Sequence, residues 1–173
     1  EYRSLAFGAP RFDSARIAAQ ELAGQYQVHP VDSASGSAAM GYMCREARLL
    51  ERAGTAVKDI LSSLEAIASR VSIVLTLDNL EYARRSGRVK ALQAALASLL
   101  NVKPVIYLRE GVLELGDRVR TRRKALEYIV EQMSARVGTQ VVNAAVIHSE
   151  DPQAAQVLAS AISLPSSSRT KNL

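Results

Sequence analysis

The sequence is poor in the residues that support disulfide, metal or redox chemistry. Among its 173 residues there are one cysteine, two histidines and no tryptophan, and aromatic residues make up 5%. A single cysteine, Cys44, excludes an internal disulfide. No apolar run reaches the roughly 18 residues that a membrane-spanning helix needs. The first residues, which include the charged Glu1 and Arg3, show no secretory signal, so we expect a cytoplasmic protein.

Catalytic motifs are also scarce. The sequence contains no G-x-G-x-x-G dinucleotide motif, no P-loop and no G-x-S-x-G elbow. His29 falls in a predicted strand and is interpreted as structural. His148 precedes Ser149, Glu150 and Asp151, and it either caps a turn or acts as a base or metal ligand, although no second histidine or cysteine lies at metal-ligand spacing. Acids and bases are not clustered for catalysis, so we predict a binding protein without metal or cofactor.

The positive charge of the chain is local. Residues 82–124 contain 11 lysines and arginines against 3 acidic residues, a balance of +8, whereas the whole chain carries +5. This basic region surrounds the most apolar stretch of the sequence, residues 91–100, in which Gln93 and Ser98 are the only polar residues. A helix that is apolar on nearly every side is either buried in the core or faces an apolar ligand.

Two basic clusters stand where helices are predicted to begin. Thr121 is a good N-cap for a helix over 122–136, and the basic triplet 122–124 follows it at once. Arg88 comes directly after Gly87, where the apolar helix should start. Cations there oppose the helix dipole by roughly 0.3–1 kcal/mol each. Free N–H groups and arginine side chains at a helix start favour an anion. An anion site and a solvated basic surface both fit this pattern.

The order of the predicted elements is that of an α/β protein. Strands are predicted at 2–7, 26–31, 71–77, 105–108, 112–115 and 140–147, with a further strand that ends at Val119. Helices are predicted at 15–22, 41–53, 56–70, 80–85, 91–100, 122–136 and 154–162. The strands around Gly111 form a predicted β-hairpin. We predict a partial N-terminal domain over 1–76, a C-terminal domain over 77–164 and a disordered tail over 165–173.

Four short motifs follow one another across the middle of the chain. They read Leu-Asp-Asn-Leu-Glu-Tyr at 77–82, Ser-Gly-Arg-Val at 86–89, Leu-Leu-Asn-Val-Lys-Pro-Val at 99–105 and Val-Arg-Thr-Arg at 119–122. In this order and at this spacing they resemble the core of the DegV family of lipid-binding proteins. The resemblance extends more weakly over most of residues 2–163.

The resemblance implies a fold and a ligand. The fold would be two-lobed α/β, with a mainly parallel sheet in the N-terminal part and a mixed sheet with helices in the C-terminal part. The ligand would be a long-chain fatty acid in an apolar tunnel. The leucines that would line its tail are Leu92, Leu96, Leu99 and Leu100. The polar residues that would lie near its head group are Ser33, Arg88, Arg120 and Thr121.

A protein partner is implied as well. Members of this family present the acyl carboxylate to a fatty-acid kinase, which carries out the phosphorylation, so the resemblance implies a non-catalytic role for this chain. Complementary charge steers the encounter of two proteins. The basic residues that we predict to dock an acidic kinase surface are Arg84, Arg85, Arg122 and Arg123.

The chain departs from the family pattern at three places. The loop at 9–12 reads Ala-Pro-Arg-Phe where family members have Ser-Gly-Thr-Tyr, so the hydroxyl groups that hold the carboxylate are missing there. Ser86 replaces the first glycine of the turn motif. The histidine turn that ends the family sequence has no counterpart, and we expect a chain that is incomplete at both ends.

Two other functions fit parts of the sequence. The basic segment at 118–124 is compatible with nucleic-acid binding, which would require phosphate contacts and a strong salt dependence, but no aromatic residues are interleaved with it. An anion-binding enzyme would use Arg88 and Arg120 as a clamp and His148 as a base. Our prediction is lipid binding, and we expect no nucleic-acid partner.

Overall fold

The computed structural model describes residues 10–78, 81, 85 and 102–163. Within these residues it contains both helices and strands, which confirms the predicted α/β class. The described helices are α1 (Pro10–Glu21), α2 (Ser37–Arg52), α3 (Val57–Ala68), α4 (Arg122–Val137) and α5 (Pro152–Ser163). The described strands are β1 (Ile73–Thr76), β2 (Lys103–Arg109) and β3 (Val112–Val119).

The chain divides into two compact units. Among the described residues, the first unit comprises 10–73, 81, 85 and 107–114, and the second comprises 74–78, 102–106 and 115–163. The strand predicted at 2–7, the apolar helix predicted at 91–100 and the predicted tail lie outside the described residues. The same holds for most of the helix predicted at 80–85.

In the first unit, α2 packs against α3. Ala39 and Met43 of α2 and Leu64 of α3 are buried, because the apolar residues of both helices recur at helical spacing. The helix α2 begins at Ser37, four residues before the predicted start at Gly41. Its N-cap is Gly36, whose extended backbone lets the helix begin directly after the serine-rich turn.

The described residues between 10 and 72 include no strand, so the mainly parallel sheet expected for the N-terminal part is not among the described elements. The strand predicted at 26–31 is wrong. Tyr26 and Val28 are exposed instead of pairing in a sheet, and Pro30 has no N–H group to donate to a ladder.

The three strands form one sheet in the order β1-β2-β3. The antiparallel hairpin of β2 and β3 confirms the prediction, and β3 is a single strand that runs to Val119. Glu110 and Gly111 both have positive φ angles, of 49° and 77°, as a two-residue type I′ turn requires. The strand β2 is central, and its side chains Val105 and Ile106 are almost fully buried.

In the second unit, α4 packs against α5. Ala125, Ile129 and Val130 of α4 and Ala161 of α5 are buried. Both helices confirm the prediction to within two residues at each end. Gly138, with a φ angle of 58°, ends α4 in a backbone conformation that glycine adopts without strain.

The strand predicted at 140–147 is wrong. This segment contains neither helix nor strand, and the side chains of Val141, Val142 and Ile147 are exposed. β-branched residues favour a strand only where a neighbouring strand completes the hydrogen-bond ladder and covers one face. The strand predicted at 140–147 was therefore inferred from the composition of the segment alone.

Candidate functional site

The start of α4 confirms the predicted N-cap. Thr121 has an extended backbone, and its Oγ1 accepts a hydrogen bond from the N–H of Lys124 at 3.2 Å. Such a cap satisfies one of the donors that a helix start leaves unpaired, and it stabilises the helix by about 1 kcal/mol. Arg120 precedes it with an exposed side chain. The Arg120–Thr121 pair thus sits at the junction of β3 and α4.

Arg122 is the first residue of α4, and two carboxylates surround its guanidinium. Nη2 lies 2.7 Å from Oδ2 of Asp151, and Nη1 contacts Oδ2 of Asp78. Both ion pairs counter the unfavourable position of a cation at a helix start. The pairs are partly solvated, so each contributes at most about 1 kcal/mol. Arg122 therefore connects the segment that follows β1, the start of α4 and the start of α5.

Asp78 and Asp151 each make a second interaction. Lys103 Nζ lies 3.0 Å from Oδ1 of Asp78 and donates a hydrogen bond to the Asp78 carbonyl oxygen. Asp151 accepts a hydrogen bond from the N–H of Ala154 at 3.0 Å, which caps α5. We did not identify either aspartate as a site residue from the sequence. Asp78 directly follows a predicted strand and Asp151 directly precedes Pro152, but neither position reveals that Arg122 joins them.

His148 belongs to the turn before α5. Its Nδ1 accepts a hydrogen bond from the N–H of Asp151 at 3.2 Å. This contact corresponds to the turn-capping interpretation of His148. Within the described ranges, no group of histidine, cysteine, aspartate and glutamate side chains is arranged to hold a metal ion.

Ser33 lies in the loop that precedes α2, in the first unit. Its side chain is buried. The Ser33 hydroxyl donates a hydrogen bond to the carbonyl oxygen of Ser35 at 3.2 Å, and Ser33 Oγ accepts one from the N–H of Ser35 at 3.3 Å. Asp32 Oδ1 accepts a hydrogen bond from the N–H of Ala34 in the same loop. The Ser33 hydroxyl thus holds the loop in shape.

Ser35 is a candidate that we did not identify from the sequence. The residue is 2% exposed, and its Oγ has no hydrogen-bond partner in the structure described for residues 10–78. A buried hydroxyl without a partner costs about 1–3 kcal/mol, and such groups in native proteins need an explanation. It directly precedes Gly36, the N-cap of α2, and the only sequence signal for it is the serine-rich run between Asp32 and Met40.

Two of the predicted docking residues are exposed on helices. The side chain of Arg85 is 72% exposed and pairs with Glu81 at 2.8 Å, and that of Arg123 is 71% exposed and pairs with Glu127 at 3.4 Å. Each pair spans one helical turn and is worth only about 0.3–0.5 kcal/mol, so a partner with better-placed acidic groups can replace it. Other predicted site residues lie outside the described residues, namely Arg84, Arg88, Leu92, Leu96, Leu99 and Leu100.

Comparison with known sequences identifies the family. The family described as uncharacterised protein, DegV family, matches residues 9–167. The chain is 35% identical over 146 residues to a DegV domain-containing protein of Deinococcus radiodurans, with 82% of the chain and 51% of that protein covered. It is 30% identical over 148 residues to Protein DegV of Bacillus subtilis, with 84% and 53% covered. The chain belongs to the DegV family, as its motifs predicted, and it spans about half the length of these relatives.

Solved structures resemble the fold. One is the structure of a DegV family protein from Thermus thermophilus, and its description names fatty acid binding. It is 35% identical to this chain, with a TM-score of 0.65, and the match covers 74% of this chain and 45% of that one. Another is DegV, a fatty acid binding protein from Bacillus subtilis, at 30% identity and a TM-score of 0.67, covering 79% and 48%. A Streptococcus agalactiae structure at 22% identity supports the fold alone, with a TM-score of 0.80, and covers 94% and 56%.

Among the described helices, none combines the length and the apolar character that crossing a bilayer requires.

Proposed function

We propose that this chain is a non-catalytic lipid-binding protein that holds a long-chain fatty acid in an apolar tunnel. The observation that supports it is membership of the DegV family, together with relatives at 35% and 30% identity whose structures are described as fatty acid binding. Within this proposal the segment 91–100 lines the acyl tail through Leu92, Leu96, Leu99 and Leu100. The polar residues near the head group are Ser33, Arg88, Arg120 and Thr121.

The energetics of this proposal place most of the affinity in the tail. Burial gains about 0.8 kcal/mol per CH₂ group, so a tail of about 16 carbons gains roughly 11 kcal/mol before the entropy of association is subtracted. An exposed ion pair contributes only about 0–1 kcal/mol. Affinity should therefore depend on acyl-chain length, whereas the arginines orient the carboxylate.

Native mass spectrometry tests the proposal directly. We expect the protein purified from a lipid-containing host to carry a fatty acid, which denaturation releases and identifies. Leu96→Asp should lower the affinity for palmitate by a factor of ten or more, because it places a polar group against the tail. Leu49→Asp is the matched control, since Leu49 is an exposed leucine of α2. A wild-type chain that takes up neither palmitate nor oleate would contradict the proposal.

We further propose that the protein presents the bound fatty acid to a kinase, with Arg84, Arg85 and Arg123 as the docking residues. Arg122 was part of this predicted group. Because its guanidinium contacts Asp78 and Asp151, we assign it a smaller share of the docking.

The docking proposal makes a kinetic prediction. Arg85→Glu and Arg123→Glu should each slow association with a bacterial fatty-acid kinase several-fold at low salt, and the difference should shrink as salt screens the charges. Stopped-flow association rates measure this effect. Arg136→Glu, an exposed arginine in the last turn of α4, is the control. Equal slowing by all three substitutions would argue for a general charge effect without a defined docking surface.

The described contacts give no support to nucleic-acid binding. Arg85, Arg122 and Arg123, three cations of the basic region, each lie beside a carboxylate of the same chain. Arg122 is the least available of the three, because two carboxylates surround its guanidinium.

A further inference from the structure

The segment 139–147, between α4 and α5, presents apolar side chains to solvent. It contains neither helix nor strand, although the two helices that flank it pack against each other. Val141 is fully exposed, and Val142 and Ile147 are 48% and 60% exposed. Single exposed apolar residues are common on protein surfaces, but several of them within a few residues indicate an interaction surface.

The composition of this segment favours pairing with another strand. The residues from 139 to 147 include three valines and one isoleucine, but no charged residue, no proline and no glycine. Valine and isoleucine fit well on a pleated sheet. Proteins usually protect an exposed strand-forming segment with a charge or a proline, because such residues prevent pairing with another chain. The segment 139–147 has no protection of this kind.

The segment is complementary to a second copy of itself. In an antiparallel pair whose two-fold axis passes at Ala144, Val141 lies opposite Ile147. Val142 then lies opposite Val146. Each large apolar side chain thus meets another across the strands, and no like charges face each other. The ladder can use the backbone groups on either side of Ala144, which already has an interaction within the chain.

We propose that the segment 139–147 pairs as an antiparallel strand with the same segment of a second copy, so that the chain forms a two-fold symmetric dimer. This dimer goes beyond lipid binding and does not depend on it. Pairing supplies the neighbouring strand that the sheet β1-β2-β3 does not provide. Two short strands bury less than the roughly 1,200–2,000 Å² of a stable complex, so the dimer is weak and depends on protein concentration.

Sedimentation equilibrium at several protein concentrations measures the dimer. The wild-type chain should show a monomer–dimer equilibrium. Val142→Lys should raise the dissociation constant at least tenfold, because the two-fold symmetry places a charge in the apolar contact twice. Val57→Lys is the matched control, since Val57 is a 54% exposed valine at the start of α3, in the first unit. Thermal unfolding of both variants near the wild-type midpoint verifies that they are folded.

Disulfide trapping tests the antiparallel register. In a Cys44→Ser background, Ala144→Cys should form a cross-linked dimer quickly on oxidation, because the two copies of residue 144 face each other at the axis. Thr139→Cys is the control. The two copies of residue 139 would lie roughly 33 Å apart along the paired strands, which no disulfide can span.

Four outcomes would overturn the dimer. The wild-type chain may stay monomeric at the highest concentration that it tolerates, which excludes the contact. Equal weakening by Val142→Lys and Val57→Lys would show a general effect of charge. Assemblies larger than a dimer would show an open-ended contact instead of a two-fold one. Equally fast trapping at positions 139 and 144 would exclude the pairing about Ala144.

Discussion

The helices α2 and α4 have the same length of 16 residues, but a side chain caps the N-terminus of α4 and none caps that of α2. At the start of α4, Thr121 caps the helix and the two aspartates beside Arg122 balance its charge. At the start of α2, the cap is Gly36, no side chain caps the helix, and Ser35 next to it has an unpaired hydroxyl.

This difference separates a helix start that is capped by its own chain from one that has no side-chain cap. A helix start whose donors and charges are matched by its own chain gains stability from those contacts. A helix start with unmatched donors is less stable without a ligand, and it gains that energy when an anion binds. The basic residues at the start of α4 predicted an anion site there, and the structure shows that Thr121 and two aspartates of the same chain already interact with this helix start.

The larger of two expected effects on stability comes from removing the cap of α4. Thr121→Ala should lower the free energy of unfolding by about 1 kcal/mol, because the N–H of Lys124 loses its acceptor. Chemical denaturation monitored by circular dichroism measures this change. Thr121→Ser keeps the acceptor and should stay close to wild type. If Thr121→Ala is as stable as wild type, the start of α4 is not satisfied by Thr121 and the contrast with α2 is lost.

A smaller effect is expected for Arg122→Gln. The substitution removes the ion pairs to Asp78 and Asp151, but it also removes a cation from a helix start, and these two terms partly cancel. We expect a loss of about 0.5 kcal/mol at low salt that disappears at high salt, since salt screens exposed charges. Arg136→Gln, in the last turn of α4, is the control. A loss that persists at high salt would mean that Arg122 acts through packing.

Sequence reasoning located the elements whose signals are local. The β2–β3 hairpin follows from Gly111 between two apolar strands, and α4 follows from Thr121 at its start and Gly138 at its end. The hairpin turn, the N-cap and the helix stop are each indicated by residues that are close together in the sequence, so a single sequence contains the whole signal.

Contacts between distant residues could not be predicted in this way. Arg122 was assigned to a docking surface, because nothing in its neighbourhood indicates that Asp78, 44 positions earlier, contacts it. The segment 140–147 has the composition of a strand, but a strand requires a partner that composition does not reveal. Ser33 and Ser35 are indistinguishable by residue type, and only the dihedral angles of the loop decide which hydroxyl is engaged.

The position of the sole cysteine gives α2 an experimental use. Cys44 is exposed on this helix, about two turns after Ser37, which places its Cα roughly 10 Å along the axis from the helix start. A fluorophore attached through this thiol would label one known position and would require no cysteine to be removed. Its emission would then report in real time on any change around the start of α2 when a charged or an uncharged ligand is added.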